Sequence, residues 1–325
     1  MHSTFTQILD RLVIRMACAA QSKPGLFPAN IEQARELLQQ PDFLADAPVS
    51  APELKWISQN QFQFSSLIST PWPENNMVRG KFFPFAKNWP GQPTVILVHG
   101  WNDEFGYFIR HKFQAPRLLR AGFNVAMIEL PYHLQRRPRA AGAVNDFLSE
   151  ELFCTIQAGQ QAFTDIRALV AWLAAQGCAQ ISLWGVSLGG WLSGLVLAHE
   201  EKISSAVLNV PVARMDRVIE ELAFCAPLRR SLQGHSLDLK KLNLRSHRPK
   251  ILPENILIIE AQDDLFSPKE SIEEFWLAWN QPEIWRIRHA HISGLFSIPM
   301  TNRIVKWLGE KAVQNRRSRV ASDKR

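Results

Sequence analysis

Five short runs rich in Val, Ile and Leu recur from about residue 92 onward: Thr94 to Val98, Phe123 to Leu130, Ile181 to Trp184, Ser205 to Val210 and Ile256 to Ile259. A strand with one wet face alternates apolar with polar residues, so near-continuous apolar runs call for strands covered on both faces. Helix-length segments separate them: Phe108 to Arg120, Ala158 to Gln176, Leu188 to His199 and Pro268 to Trp279. This βαβα rhythm predicts an α/β fold, a mostly parallel sheet with helices on both faces. A chain of 325 residues, 46% apolar and 21% charged, can bury such a core, and the same composition excludes a disordered or fibrous protein.

Upstream, Gln61 to Ile68 and Met77 to Phe83 read as two strands joined through Pro71 to Asn76, a connection that suits an antiparallel pair at one edge of the sheet. Residues 1–60 carry amphipathic helical patterns near Phe5 to Met16 and Ile31 to Leu38 and are expected to form an N-terminal helical cover. Residues 61–312 would be the α/β body. Within it, residues 211–250 show helical character at Arg214 to Phe224 and Leu237 to Leu244 but no strand. That insertion is a candidate helical lid over the C-terminal edge of the sheet, where α/β proteins place their ligands. Its apolar residues Val212, Met215, Val218, Ile219, Leu222 and Phe224 have helical spacing and must bury a face, against the sheet or partly as the wall of a pocket.

The formal net charge is +7, and Arg316, Arg317, Arg319, Lys324 and Arg325 against Asp323 place more than half of the excess in the last ten residues. Residues 313–325 are therefore expected to be a frayed basic tail, and without interleaved aromatics no nucleic-acid partner is expected. No run of 18 apolar residues occurs, and Asp10, Arg11 and Arg15 interrupt the segment Ile8 to Ala20, so neither a membrane span nor a signal peptide is predicted. Cys18, Cys154, Cys178 and Cys225 are scattered without a C-x-x-C pair, as reduced thiols of a cytoplasmic protein would be.

The sharpest local signal is Gly185-Val186-Ser187-Leu188-Gly189-Gly190, set between the strand Ile181 to Trp184 and a helix opening at Leu188. A G-x-S-x-G turn between strand and helix projects a serine hydroxyl above the sheet, and the two glycines permit the backbones to approach closely. The helix behind Ser187 aims free N–H groups and the positive end of its dipole at the same point, which favours a developing oxyanion. A second signal ends the first core strand, in Val98-His99-Gly100-Trp101-Asn102.

With these two segments the chain resembles the α/β-hydrolase superfamily, over roughly residues 60 to 312. The resemblance implies a mostly parallel, eight-stranded sheet and an oxyanion hole made by the backbone N–H groups of Trp101 and Leu188. The His99 side chain is then read as buried and hydrogen-bonded to a loop. An acid and a base should follow Ser187 in chain order. The family often shows G-x-x-D-x-x-x-P beyond the relevant strand, and Asp264 stands four residues before Pro268, although Ala261 replaces the glycine and the neighbouring Asp263 leaves the register open; Asp216 is a remoter substitute. The base implied after the last strand, Glu283 to Arg288, is His291, with His289 on the opposite face of an extended segment. His111, His133, His199, His235 and His247 are assigned to surface or core.

The segment Glu129 to Pro138 is similar to a Pro-Tyr plus basic stretch in little-characterised members of the superfamily. Its Arg136 and Arg137, with Arg139 just beyond, could meet an acidic substrate group, lie on a solvated loop, or pair with Asp146 and Glu150. The resemblance implies a serine hydrolase cleaving a carboxylic ester or related acyl bond of a small molecule through an acyl-enzyme. An amidase or peptidase on the same triad, and a non-catalytic scaffold that binds a ligand or a protein, are the alternatives. No metal or organic cofactor is expected, since Cys and His do not cluster and no G-x-G-x-x-G follows a strand. Acyl chain length and oligomeric state are not encoded in these motifs.

Overall fold

The apolar runs pair side by side into a nine-stranded sheet in a computed structural model that describes residues 5–20, 30–41, 43–44, 48–140, 146–149 and 151–322. The chain enters through α1 (Ile8–Ala20) and α2 (Ile31–Gln39), then forms β1 (Lys55–Ser58), β2 (Gln61–Ser65), β3 (Met77–Phe83) and β4 (Thr94–Val98). Next come α3 (Glu104–Ile109), a wide turn at Arg110–Gln114, α4 (Ala115–Arg120), β5 (Asn124–Ile128), the long α5 (Leu152–Ala175), β6 (Ile181–Val186), α6 (Leu188–His199) and β7 (Ile203–Asn209). The insertion holds α7 (Met215–Glu221) and α8 (Ala226–Ser231), and β8 (Ile256–Ala261), α9 (Lys269–Ala278), β9 (Glu283–Ile287) and α10 (Ile298–Ser322) complete the chain.

The strand order is β1-β2-β3-β5-β4-β6-β7-β8-β9, with β4 through β9 all parallel and β1, β2 and β3 joined by antiparallel pairing at one edge. Every residue of β4, β5, β6 and β8 is buried, because successive side chains point into two different cores. On β4, Val95 and Leu97 join Tyr107, Leu118, Ile304 and Leu308 on one face, while Ile96 and Val98 join the α5 and α6 side on the other.

The sheet has nine strands where eight were expected. The extra one, β1, is a four-residue edge strand exposed along its length, paired to β2 through Lys55↔Gln63 and Trp56↔Phe62. With no buried face it has no alternation to read. The insertion departs from expectation as well: the stretch Leu237 to Leu244 is no helix but ends in two single turns, Lys240–Leu242 and Leu244–Ser246. Leu242 and Leu244 are both buried and lie two apart, an extended spacing, and Asn243 between them is tied to the Asp216 amide. At the other end α10 continues to Ser322, so the segment expected to fray from residue 313 is helical, and Asn315 Nδ2 donates to the Ser204 carbonyl at 3.0 Å.

The basic loop after β5 is also built inward. Arg136 is fully buried, donates to the carbonyl oxygens of Asn75 and Glu129, and stands 2.9 Å from Asp165, itself buried in α5. Arg137 pairs with Glu104 at 2.9 Å rather than with Asp146; Glu150 lies outside the described residues. Arg136 is thus a structural cation that fastens the loop to the sheet edge, and it is not free to meet an acidic substrate. Asp165→Ala would leave this guanidinium buried without its counter-charge and is expected to cost about 3–5 kcal/mol, measured as a lower midpoint of urea unfolding.

Candidate active site

Ser187 sits between β6 and α6 with φ +55° and ψ −117°, a backbone geometry uncommon for a residue with a side chain. Two glycines make the turn possible. A Cβ on Gly185 would overlap the Gly189 carbonyl oxygen, and one on Gly189 would overlap the carbonyl oxygens of Val98 and His99. The start of α6 therefore lies against the end of β4, and the two loops that leave β4 and β6 face each other.

The loop after β4 is braced from several sides. Gly100 N–H donates to Asp103 Oδ2 at 3.1 Å, Asn102 N–H donates to His133 Nε2 at 3.0 Å, and Trp101 Nε1 donates to Asp146 Oδ1 at 2.6 Å. His99 is buried and bridges loops: Nδ1–H donates to the Gly100 carbonyl at 2.8 Å and Nε2 accepts the Leu130 N–H at 3.0 Å. His133 is used alike, donating from Nδ1 to the Pro131 carbonyl at 2.8 Å. Each ring has one donating and one accepting nitrogen, which is the neutral form. Burial accordingly pushes His99 well below its ordinary value and His133 down to about 4. The N–H groups of Trp101 and Leu188 are left, and among the described residues neither has a hydrogen-bond acceptor.

Opposite this loop stand the segments after β8 and β9. Ser187 Oγ–H donates to His291 Nε2 at 2.7 Å, and His291 Nδ1–H donates to Asp264 Oδ2 at 2.7 Å. Asp264 Oδ1 accepts the N–H groups of Phe266 and Ser267 at 2.7 and 2.8 Å, which fixes the carboxylate in the orientation the imidazole needs. Burial opposes charge on the His291 ring, but the Asp264 and Asp10 carboxylates outweigh it and hold the ring above its ordinary value of 6.5.

Of the neighbouring candidates, Asp263 turns away to accept the Thr6 hydroxyl, His289 lies beside Ser293, and Asp216 is engaged by Arg214 and Asn243. Trp101 stacks on Phe224 of the insertion at 4.7 Å, Phe224 lies against Phe266, and Phe266 tilts over His291 at 4.7 Å. These rings form a continuous apolar series from the loop after β4 to His291. His133, assigned to surface or core, and Asp146, named only as a partner for the basic loop, were not given their part in bracing the loop after β4. Asp10 was not given a role at the site; its signal was a lone carboxylate on the face of α1 that carries Val13, Ile14 and Ala17. Among the described residues no group of three His, Cys, Asp or Glu side chains is placed to hold a metal, and no helix is long and apolar enough to cross a membrane.

A family profile described as alpha/beta hydrolase fold matches residues 93–233. That span includes Trp101, Ser187 and Leu188 and ends before Asp264 and His291. The chain is 28% identical over 224 residues to two uncharacterized proteins of Mycobacterium tuberculosis; the match covers 66% of this chain and about half, 53%, of theirs. Among solved structures, an esterase of Pyrococcus furiosus superposes with a TM-score of 0.53 at 16% identity, covering 89% of this chain and 99% of that one. Est1E of Butyrivibrio proteoclasticus gives 0.53 at 12% identity over 79% of this chain and all (100%) of that one. Sheet topology, the superposed structures and the profile over residues 93–233 agree in giving this chain the α/β-hydrolase fold.

The close approach at the elbow is testable on its own. Gly189→Ala is expected to lower stability by about 1–3 kcal/mol or more through backbone overlap. Gly309→Ala in α10, where a Cβ meets nothing within 4 Å, should instead raise it by about 0.5–1 kcal/mol. Thermal unfolding midpoints of the two variants against wild type read both signs.

Proposed function

We propose that this chain is a serine hydrolase that cleaves an uncharged carboxylic ester of a small molecule through an acyl-enzyme intermediate. The observation that carries this reading is the unbroken line from Ser187 Oγ through His291 to Asp264, with both heavy-atom distances at 2.7 Å. Ser187 Oγ attacks the ester carbonyl carbon as its proton passes to His291 Nε2. The carbonyl oxygen takes up the charge and is held by the N–H groups of Trp101 and Leu188. Collapse breaks the bond to the leaving oxygen, which takes the proton from Nε2 and departs as the alcohol. Water, deprotonated by the same nitrogen, then attacks the acyl carbon; collapse breaks the bond to Ser187 Oγ, which takes the proton back from Nε2, and the acid is released. Asp264 keeps Nδ1 protonated, so that Nε2 is the basic nitrogen throughout. The solved structures of the same fold described as esterases agree with this reaction class.

A fluorophosphonate probe and a series of p-nitrophenyl esters test the reading. Wild type should label at Ser187 and turn over esters, while Ser187→Ala and His291→Ala should each lose about a thousandfold or more in kcat/KM. His289→Ala should be nearly silent. The base acts when neutral, so kcat/KM should fall as pH drops through the His291 value, and because that value is raised the midpoint should lie above 6.5. Labelling that persists in Ser187→Ala would remove the serine from the mechanism.

The ring series that reaches His291 supports an expected substrate preference. Apolar burial is worth about 0.8 kcal/mol per methylene, and Trp101, Phe224 and Phe266 offer apolar surface leading to His291 for an acyl chain to bury. Uncharged esters should be preferred over matching peptide amides, and Phe224→Ala, by removing the central ring, should shift the kcat/KM optimum toward longer acyl chains. An optimum that does not move, or a preference for amides, would detach the rings from acyl selection.

A further inference from the structure

The acid loop and the base loop are joined by a residue from the other end of the chain. Asp10 lies on α1 and is fully buried. Its Oδ2 accepts the N–H groups of Leu265 at 3.2 Å and His291 at 3.0 Å, and its Oδ1 accepts that of Ile292 at 2.9 Å. One carboxylate thus holds the backbone immediately after Asp264 and the backbone of His291 itself. The preceding turn adds to the clamp: Thr6 Oγ1 donates to Asp263 Oδ2 at 2.9 Å and Gln7 Nε2 to the Asp263 carbonyl at 3.1 Å.

We propose that Asp10 is a positioning residue for the reaction assigned above: it fixes the loops bearing Asp264 and His291 relative to each other and presents a second negative charge to the His291 imidazole. The inference rests on that functional reading. Burying a carboxylate is costly unless donors replace its water, and here three N–H groups do so. Both oxygens act as acceptors, the pattern of the ionised form. Burial raises the Asp10 carboxyl, the Ile292 and Leu265 amides and the His291 charge pull against that rise, and Asp264 adds to it.

The groups facing the His291 ring are few. Asp264 is at Nδ1, Ser187 at Nε2, and the Phe266 ring covers one side; Asp10 reaches it from behind the main chain, and no cation adjoins it among the described residues. Both carboxylates therefore favour the imidazolium that exists after Ser187 gives up its proton. A merely structural anchor would need neither the charge nor the contact with two loops that each bear a member of the proposed triad.

The test is Asp10→Asn, which keeps the shape, removes the charge and turns one acceptor into a donor facing an N–H. The expected result is a His291 titration midpoint lowered by on the order of one pH unit, read by NMR of the imidazole nitrogens. The acid limb of kcat/KM should move with it, and kcat should fall by about ten- to a hundredfold with little change in KM. Asp10→Glu keeps the charge on a longer stem, so it should lower kcat while leaving the midpoint near wild type, and it carries the test if the Asn variant does not fold. The pair Thr6→Val and Gln7→Ala should leave the midpoint in place. Wild-type titration and kcat in a folded Asp10→Asn, or wild-type kcat in Asp10→Glu, would overturn the proposal. If wild type neither labels nor hydrolyses esters, the functional reading falls, and the titration still decides whether Asp10 is coupled to His291.

Discussion

At Gly189 the first turn of α6 touches the carbonyl oxygens that end β4, and much of the site's geometry follows from that contact. A helix that close to a strand end leaves no room for a relaxed turn, so Ser187 takes its unusual backbone angles. The same closeness brings the loop after β4 up to the serine: a Cβ on Gly100, the neighbour of Trp101, would stand 3.4 Å from Ser187 Cβ. Parallel strand pairing then completes the arrangement. Because β8 and β9 run alongside β7 in the same direction, their following loops emerge on the same edge as Ser187.

Around that edge the protein repeatedly holds loops with buried carboxylates. Asp264 accepts two backbone N–H groups, Asp146 accepts that of Leu148 together with the Trp101 indole, and Asp10 accepts three from two loops. Irregular backbone next to a core has donors that no strand partner satisfies, and a carboxylate can serve several at once. His99 and His133 do related work as neutral rings, each taking one N–H and giving one. The loops along this edge are thus held by side chains, some from the loop itself and some, as with Asp10 and His133, from other elements.

Much of this was legible in the sequence where burial and glycine leave marks. The unbroken apolar runs correspond to β4 through β8, and the elbow declares itself because Gly185 and Gly189 are needed where backbones collide. The family resemblance, with its order of serine, acid and base, pointed to Asp264 and His291, the pair that the fold brings to Ser187. What escaped reading lacks such a mark. The edge strand β1 buries nothing, so its four residues carry no alternation. Arg136 looked like a surface cation because its partner Asp165 is in α5 and its acceptors are main-chain carbonyls, which any sequence supplies. Asp10 acts across most of the chain, and no local pattern encodes a partner that far away.

That last separation has a consequence for how the molecule is made. The contact between Asp10 and the His291 amide spans 281 positions. At synthesis rates of roughly 5–20 residues per second, α1 leaves the ribosome roughly 15–60 s before the segment it clamps exists. During that interval its inward carboxylate lacks the His291 and Ile292 amides that it accepts in the folded chain. The clamp at Asp10 therefore closes late, after Ser187 and most of the sheet have been synthesised.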